Sequence, residues 1–296
     1  MRFYEIEFPL AALSAEAVEA ALLEVGANSI TFVDGGDEPV LEPKPGEVRL
    51  WSDTRVRALF QESSDAAVNL HRLAAALGPQ VTDTARVRAV EDQVWERAWL
   101  TGWKSMRFGR RLWVCPRTAD APPDSEAIVV RLDPGLAFGT GTHPTTALCL
   151  QILDSLELTG RTLIDYGSGS GILGIAALKL GAAAVTAVDL DPQALLATRD
   201  NANRNGVASQ MTVQGVADPL QSAYCVVANI LAGPLIELAP ILTAACESGG
   251  ILLLSGLLKA QAYEVKAAYA PGFDMVQVIE REEWCCIYAR RAQEPV

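Results

Sequence analysis

Residues 2–8, "RFYEIEF", alternate apolar and polar positions with a period of two, the pattern of a half-buried strand. "SAEAVEAALLEVGA" then moves to apolar residues at helical spacing, predicting a helix that opens at Ser14 and Glu16 and stops at Gly26. "SITFV" predicts a second strand, followed by a Gly/Pro-rich turn region over residues 35–46. "EVRLWS" predicts a third strand, the alanine-rich stretch from Ser64 to Leu77 a second helix, and "TARVRAV" a fourth strand. The order β-α-β-β-α-β fits a small α+β, ferredoxin-like domain of split-βαβ type over residues 1–90. It carries no cluster of catalytic residue types and reads as a recognition module.

Residues 91–106 place Trp95, Trp99 and Trp103 on one helical face, predicting a linker helix docked by its aromatic side. "RFGRRLWVCP" and "AIVVRLDP" predict strands leading into a second domain, residues 107–296. From about residue 160, strands alternate with helices: "TLIDYG", "GILGIAALKLG", "AVTAVDLD" and "PQALLATRDNANRNG" come first, then the strands "MTVQGV", "YCVVANI" and "GILLLSG". "WCCIYARR" makes a final strand. Such alternation predicts an α/β fold with a doubly wound, parallel, Rossmann-like sheet.

Ligands of open α/β sheets bind beyond the carboxyl ends of the strands. In "IDYGSGSGILG" the strand ends near Asp165, the loop runs Gly167 to Gly171 through Gly169, and a helix begins about Ile172. Glycines let the backbone turn and approach a ligand closely, and the helix N-terminus favours a carboxylate or phosphate. Gly169, Gly171 and Gly174 satisfy GxGxxG, so a dinucleotide competes with S-adenosylmethionine. Asp189, 18 residues beyond Gly171, can bind ribose hydroxyls, which both cofactors carry. Two features favour S-adenosylmethionine. Asp165 suits the ammonium of a methionine moiety better than a pyrophosphate. Asn229 in "VVANILAGP" begins an Asn-led apolar tetrad of the kind nitrogen methyltransferases use to hold a target amine.

Composition narrows the partners. The net charge of −12 disfavours a phosphate-backbone ligand and is compatible with a basic protein partner. Direct DNA binding and a membrane are not expected: no apolar stretch reaches the roughly 18 residues of a membrane helix. The first residues lack a basic head and apolar block, so the expected location is the cytoplasm. Six cysteines without a CxxC pair predict reduced, mostly buried thiols and no metal site.

The most specific stretch is "LDPGLAFGTGTHPTTALCL", followed by "DYGSGSGILGIAALKLGA", "VDLDPQAL", "NANRNGV", "VVANILAGPLIELAP" and "LLSGLL". With "WERAW", "MRFGRRLWVCP" and "EEWCCIYARR", this pattern resembles the bacterial methyltransferases of large-subunit ribosomal protein L eleven over nearly the whole chain. The resemblance implies a class I methyltransferase domain that trimethylates the α-amine and lysine side chains of that basic substrate, leaving S-adenosylhomocysteine. It also implies a recognition domain joined to the catalytic one by a flexible linker. Cofactor contacts would be Thr146, Gly167, Asp189 and Asn229, with Asp218 a further partner for the adenine amine. Asn229 and the carbonyls of Ile230 and Leu231 would orient the amine, and Ile230, Leu231 and Phe138 would line its pocket. His143 is better placed as a structural residue than as a base. Ser168 stands where relatives often have Cys. The rivals are an NAD-dependent oxidoreductase and a catalytically silent S-adenosylmethionine sensor or assembly factor.

Overall fold

The computed structural model describes residues 3–36, 50–61, 64–90, 104–117, 119–120, 122, 124–132 and 142–293. The chain divides into two units, Met1–Ala98 and Trp99–Val296.

In the first unit β1 (Phe3–Pro9) buries Tyr4, Ile6 and Phe8, the alternate residues of its apolar stripe. Helix α1 (Ala15–Glu24) starts at Ser14, whose hydroxyl accepts the Ala17 N–H at 3.4 Å. β2 (Ser29–Asp34), β3 (Thr54–Gln61), α2 (Ala66–Leu77), α3 (Gln80–Thr84) and β4 (Arg86–Val90) follow. The sheet order is β2-β3-β1-β4, antiparallel throughout, with Val18, Leu22 and Leu73 of the helices packed on it. β1 and β2 thus flank β3, the split-βαβ arrangement.

The third strand is not "EVRLWS". Leu50 to Ser52 lie outside any strand, residues 47–49 lie outside the described residues, and the strand is "TRVRALFQ" instead. Both runs alternate, but only the second matches β1 on both faces. Val56, Ala58 and Phe60 are wholly buried, while Arg55 and Arg57 reach Glu7 at 3.2 and 2.7 Å. The Arg57 guanidinium holds the Glu7 carboxyl below its ordinary range. The short α3 was also not foreseen. Of the expected linker helix, residues 91–103, with all three tryptophans, lie outside the described residues. Lys104 and Ser105 are not helical, and Met106 opens a strand.

The second unit begins with a small sheet, β5 (Met106–Phe108), β6 (Leu112–Cys115) and β7 (Ile128–Arg131). Helix α4 (Pro144–Ser155) leads into β8 (Thr162–Tyr166), α5 (Ile172–Lys179), β9 (Ala184–Asp189), α6 (Pro192–Arg204), β10 (Met211–Gly215) and β11 (Ala223–Asn229). Two short helices, α7 (Ala232–Glu237) and α8 (Ala239–Ala245), precede β12 (Cys246–Leu258), α9 (Ala262–Tyr269), β13 (Phe273–Arg281) and β14 (Trp284–Arg291). The main sheet has order β10-β9-β8-β11-β12-β14-β13. Both faces are covered, so consecutive strand residues serve different cores. Cys225, Val227, Ile251 and Leu253 pack with α4, α5 and α6, whereas Val226, Ala228, Leu252 and Leu254 pack with α7, α8 and α9. This is why these strands read as continuous apolar runs.

The sheet is mixed, not wholly parallel as expected. β14 runs antiparallel to both β12 and β13. β13, not foreseen, is joined to β14 by a two-residue turn with Glu282 at φ 55°, and such a connection enforces antiparallel pairing.

All six cysteines are buried and free, as expected. Among the described residues no helix is long and apolar enough to cross a membrane, and no cluster of metal ligands occurs.

Asp154, near the end of α4, has a buried carboxylate that accepts the backbone N–H groups of Arg110, Arg111 and Leu112. It fastens the β5–β6 hairpin to the domain core. Asp154→Ala leaves three donors without their acceptor and should cost about 3 kcal/mol, read as a lower thermal midpoint than that of the wild type.

Candidate active site

The glycine loop connects β8 to α5. The N–H groups of Gly167 and Ser168 both donate to the Val188 carbonyl, at 2.8 and 3.0 Å, and that of Gly169 donates to Asp189 Oδ2 at 2.8 Å. Gly167, Gly169 and Gly171 take φ of 78°, 53° and 77°, a left-handed backbone that glycine adopts without strain. From α6, the Thr198 hydroxyl donates to the Gly169 carbonyl at 3.1 Å and the Asn201 amide to that of Ser170 at 2.8 Å. Asp165 works from beneath: its buried carboxyl accepts the Gly174 N–H at 2.8 Å, satisfying an otherwise open donor of the first turn of α5. Burial pushes its pKa up to about 7, against the opposing effect of that hydrogen bond.

Beside this loop lies a cleft of about 840 Å3, within the usual range for small-ligand sites. Gly167, Gly169, Asp189, Asn229 and Thr146 all line it. Asn229 ends β11 and pairs with Ser255 on β12. Its Nδ2 donates to Thr146 Oγ1 at 3.1 Å, which leaves Oδ1 buried and without a partner among the described residues. Ile230 and Leu231 also line the cleft; the Leu231 carbonyl accepts the Leu235 N–H at 3.1 Å, and the Ile230 backbone packs against Gly256.

Three expected contacts are not on the cleft wall. Asp165 is 1% exposed and committed to Gly174. Gly171 is the N-cap of α5 and faces α6, where a Cβ would come within 2.9 Å of Thr198. Asp218 closes a turn after β10 by accepting the Gly215 N–H at 3.0 Å. Phe138 lies outside the described residues. His143 lines the cleft as the N-cap of α4. Its Nδ1 accepts the Thr145 N–H at 3.3 Å, and its ring meets Trp284 edge-on, 4.7 Å between centroids. Ser168 Oγ pairs with Thr198 Oγ1 at 3.1 Å, in the wall behind the loop.

Sequence reasoning missed Trp284, Glu237 and Gly256 as wall residues. Gly256 was detectable in principle, since a glycine inside a strand often marks a bulge or a close backbone approach. Here it has φ 84°, at a register shift between β12 and β14, and a Cβ would stand 2.3 Å from the Ile230 carbonyl oxygen.

The residues fit a cationic, ribose-bearing cofactor. A Cβ at Gly167 would collide with the Ile230 side chain at 2.3 Å, so the loop can carry no side chain there. No Lys or Arg stands among the described lining residues to pair with a pyrophosphate. A glycine loop after β8 and an acidic residue ending its neighbour β9, on a seven-stranded sheet with one reversed strand, define a class I methyltransferase. The ribosomal protein L11 methyltransferase (PrmA) family model matches residues 2–292. A ribosomal protein L11 methyltransferase from Escherichia coli (strain SMS-3-5 / SECEC) is 51% identical over 98% of this chain and all of its own length. One from Shigella boydii serotype 18 matches at the same identity and coverage. A crystal structure of ribosomal protein L11 methylase from Lactobacillus delbrueckii subsp. bulgaricus superposes with a TM-score of 0.60 at 32% identity, over 64% of this chain and all of its own. The chain belongs to the ribosomal protein L11 methyltransferase (PrmA) family. Its methyl donor is S-adenosylmethionine.

Two outcomes follow from this geometry. Burial lowers the His143 pKa from 6.5, with Glu282 opposing, so the neutral, capping ring is the form that folding favours. Its contribution is present above pH 6.5 and is lost as pH falls through the lowered value. His143→Ala should therefore cost about 1 kcal/mol at pH 8 and progressively less as pH falls below 6.5, compared by thermal melts against the wild type. Gly256→Ala should displace Ile230 and lower kcat by about a hundredfold, measured beside cofactor affinity, which should change far less.

Proposed function

We propose that this chain transfers methyl groups from S-adenosylmethionine to amino groups of ribosomal protein L11, at the N-terminal α-amine and lysine ε-amines, up to trimethylation. The substrate comes from what its relatives are named for. The observation that carries the chemistry is Asn229 Oδ1, a buried acceptor on the wall of the cleft without a partner among the described residues. Basic protein, not DNA, is the partner proposed, and the cytoplasm the place of action.

When bound, the cofactor supplies a methyl group activated by its sulfonium. In this reading Gly167 and Gly169 admit it against bare backbone. Asp189 takes the ribose hydroxyls with the oxygen capacity left after its bonds to Gly169 and Asp191. Thr146 contacts the methionine end. Asp165 acts from below, through the first turn of α5.

The attacking amine must be neutral, whereas a free lysine has a pKa of about 10.4. Withdrawal from water against Ile230, Leu231 and Tyr166 lowers that value, and the proton leaves to solvent before attack. In the first two transfers Asn229 Oδ1 accepts a remaining N–H and aims the nitrogen lone pair; the dimethylamine of the third has no N–H, and the apolar wall of Ile230 and Leu231 positions it. The four-stranded unit of residues 1–90 is proposed to hold the substrate while the amine enters the cleft.

The test uses purified enzyme, methyl-labelled cofactor and unmethylated L11, with labelled positions located by mass spectrometry. The wild type should label several amines. Asn229→Ala should lose about a hundredfold in rate with much smaller loss of cofactor affinity. Label on a different protein overturns the substrate, and wild-type turnover by Asn229→Ala overturns the role of that amide.

A further inference from the structure

Past Leu231 the chain runs through α7 and α8, and Leu231, Pro234, Leu238 and Ile241 all line the cleft. They follow one another at intervals of three and four residues across the two short helices, with Leu238 at the junction. Leu231 and Ile241 are 50% and 49% exposed, so the wall carries its apolar character out to solvent. Within this stripe stands Glu237, an exposed carboxylate that also lines the cleft. The lining residues hold one other carboxylate, Asp189, already accepting the N–H groups of Gly169 and Asp191. Glu237 makes no hydrogen bond or ion pair with any described residue.

An apolar track with a single carboxylate set within it, unpaired among the described residues, suits a cation on an aliphatic stem. A lysine side chain lays its methylenes along apolar surface and keeps its ammonium at the polar end. We propose that the Leu231–Ile241 stripe seats the amine-bearing segment of the protein substrate, and that Glu237 captures its ammonium before the amine is delivered to Asn229. This rests on the methyltransferase reading above and adds the group that selects the substrate's charge.

Capture has to be separate from reaction. A carboxylate beside an ammonium stabilises the charged form, which cannot attack. Glu237 therefore belongs to the encounter, where a charge at the rim of a site sets association rate and salt dependence. Its removal changes KM and leaves kcat alone, and that split separates it from Asn229.

The test compares wild type with Glu237→Gln, which keeps shape and removes charge. It uses the full-length enzyme, unmethylated L11 over a range of ionic strength, and calorimetric titration of S-adenosylmethionine. At low salt, Glu237→Gln should raise KM for the protein about two- to fivefold. The gap should close as salt rises through about 0.1 M, where screening reaches roughly 10 Å, with kcat and cofactor affinity unchanged. Glu237→Lys should widen the gap. Equal KM and equal salt dependence in wild type and Glu237→Gln overturn the proposal, as does a matching loss of cofactor affinity. No transfer by the wild type overturns the methyltransferase reading beneath it, and the capture role with it.

Discussion

Ile230 is held between two glycines, and the cleft takes its shape from that contact. On one side a Cβ at Gly167 would meet the Ile230 side chain; on the other a Cβ at Gly256 would meet its backbone. Gly167 is fixed in turn by the bond from its N–H to the Val188 carbonyl, and Gly256 by the register shift of β12 against β14. Three neighbouring strand ends, β8, β11 and β12, are thereby brought to van der Waals distance at one point. Asn229, the residue before Ile230, inherits its position from them, and its amide reaches Thr146 on α4. A close approach of backbone to backbone is the one packing arrangement that no side-chain repacking can replace.

Electrostatics follow from the same economy of side chains. Backbone donors of the loop and the first turn of α5 are taken up by Asp165 and Asp189, one buried under the loop and one at its rim. For Asp165 burial outweighs the hydrogen bond from Gly174, and its carboxyl is pushed up to about 7. A buried carboxyl of this kind anchors the loop; it does not need to touch the ligand.

The fold was legible wherever periodicity and pairing agreed. The α/β alternation, the glycine loop and the strand ending in Asn229 all read directly, because parallel strands buried on both faces leave unbroken apolar runs. Misreadings share one cause: pattern without partner. "EVRLWS" and "TRVRALFQ" both alternate in part, and the partner strand decides, with Val56, Ala58 and Phe60 of the second buried on one face and Arg55 and Arg57 meeting Glu7 on the other. Asp165, Gly171 and Asp218 are residue types that suit a binding site, and each also has a local backbone duty that spacing alone does not reveal. Trp284 was hidden for a topological reason. It stands at the start of its strand, a place that faces away from the ligand edge in a parallel sheet, and β14 is reversed.

The choice of an amide at Asn229 fits the difficulty of the proposed reaction. Methylation brings a sulfonium and an amine together, and the amine reacts only without its proton. The positive cofactor and the apolar wall both favour the neutral amine, so the orienting group has to accept a hydrogen bond without adding negative charge. An aspartate there would raise the amine's pKa and oppose both effects. The amide oxygen of Asn229 supplies an acceptor that stays uncharged at every pH, while its nitrogen is anchored on Thr146. The carboxylates of the cleft stand elsewhere, one holding the glycine loop and one out on the helical stripe, and neither occupies the orienting position, where negative charge would keep the amine protonated.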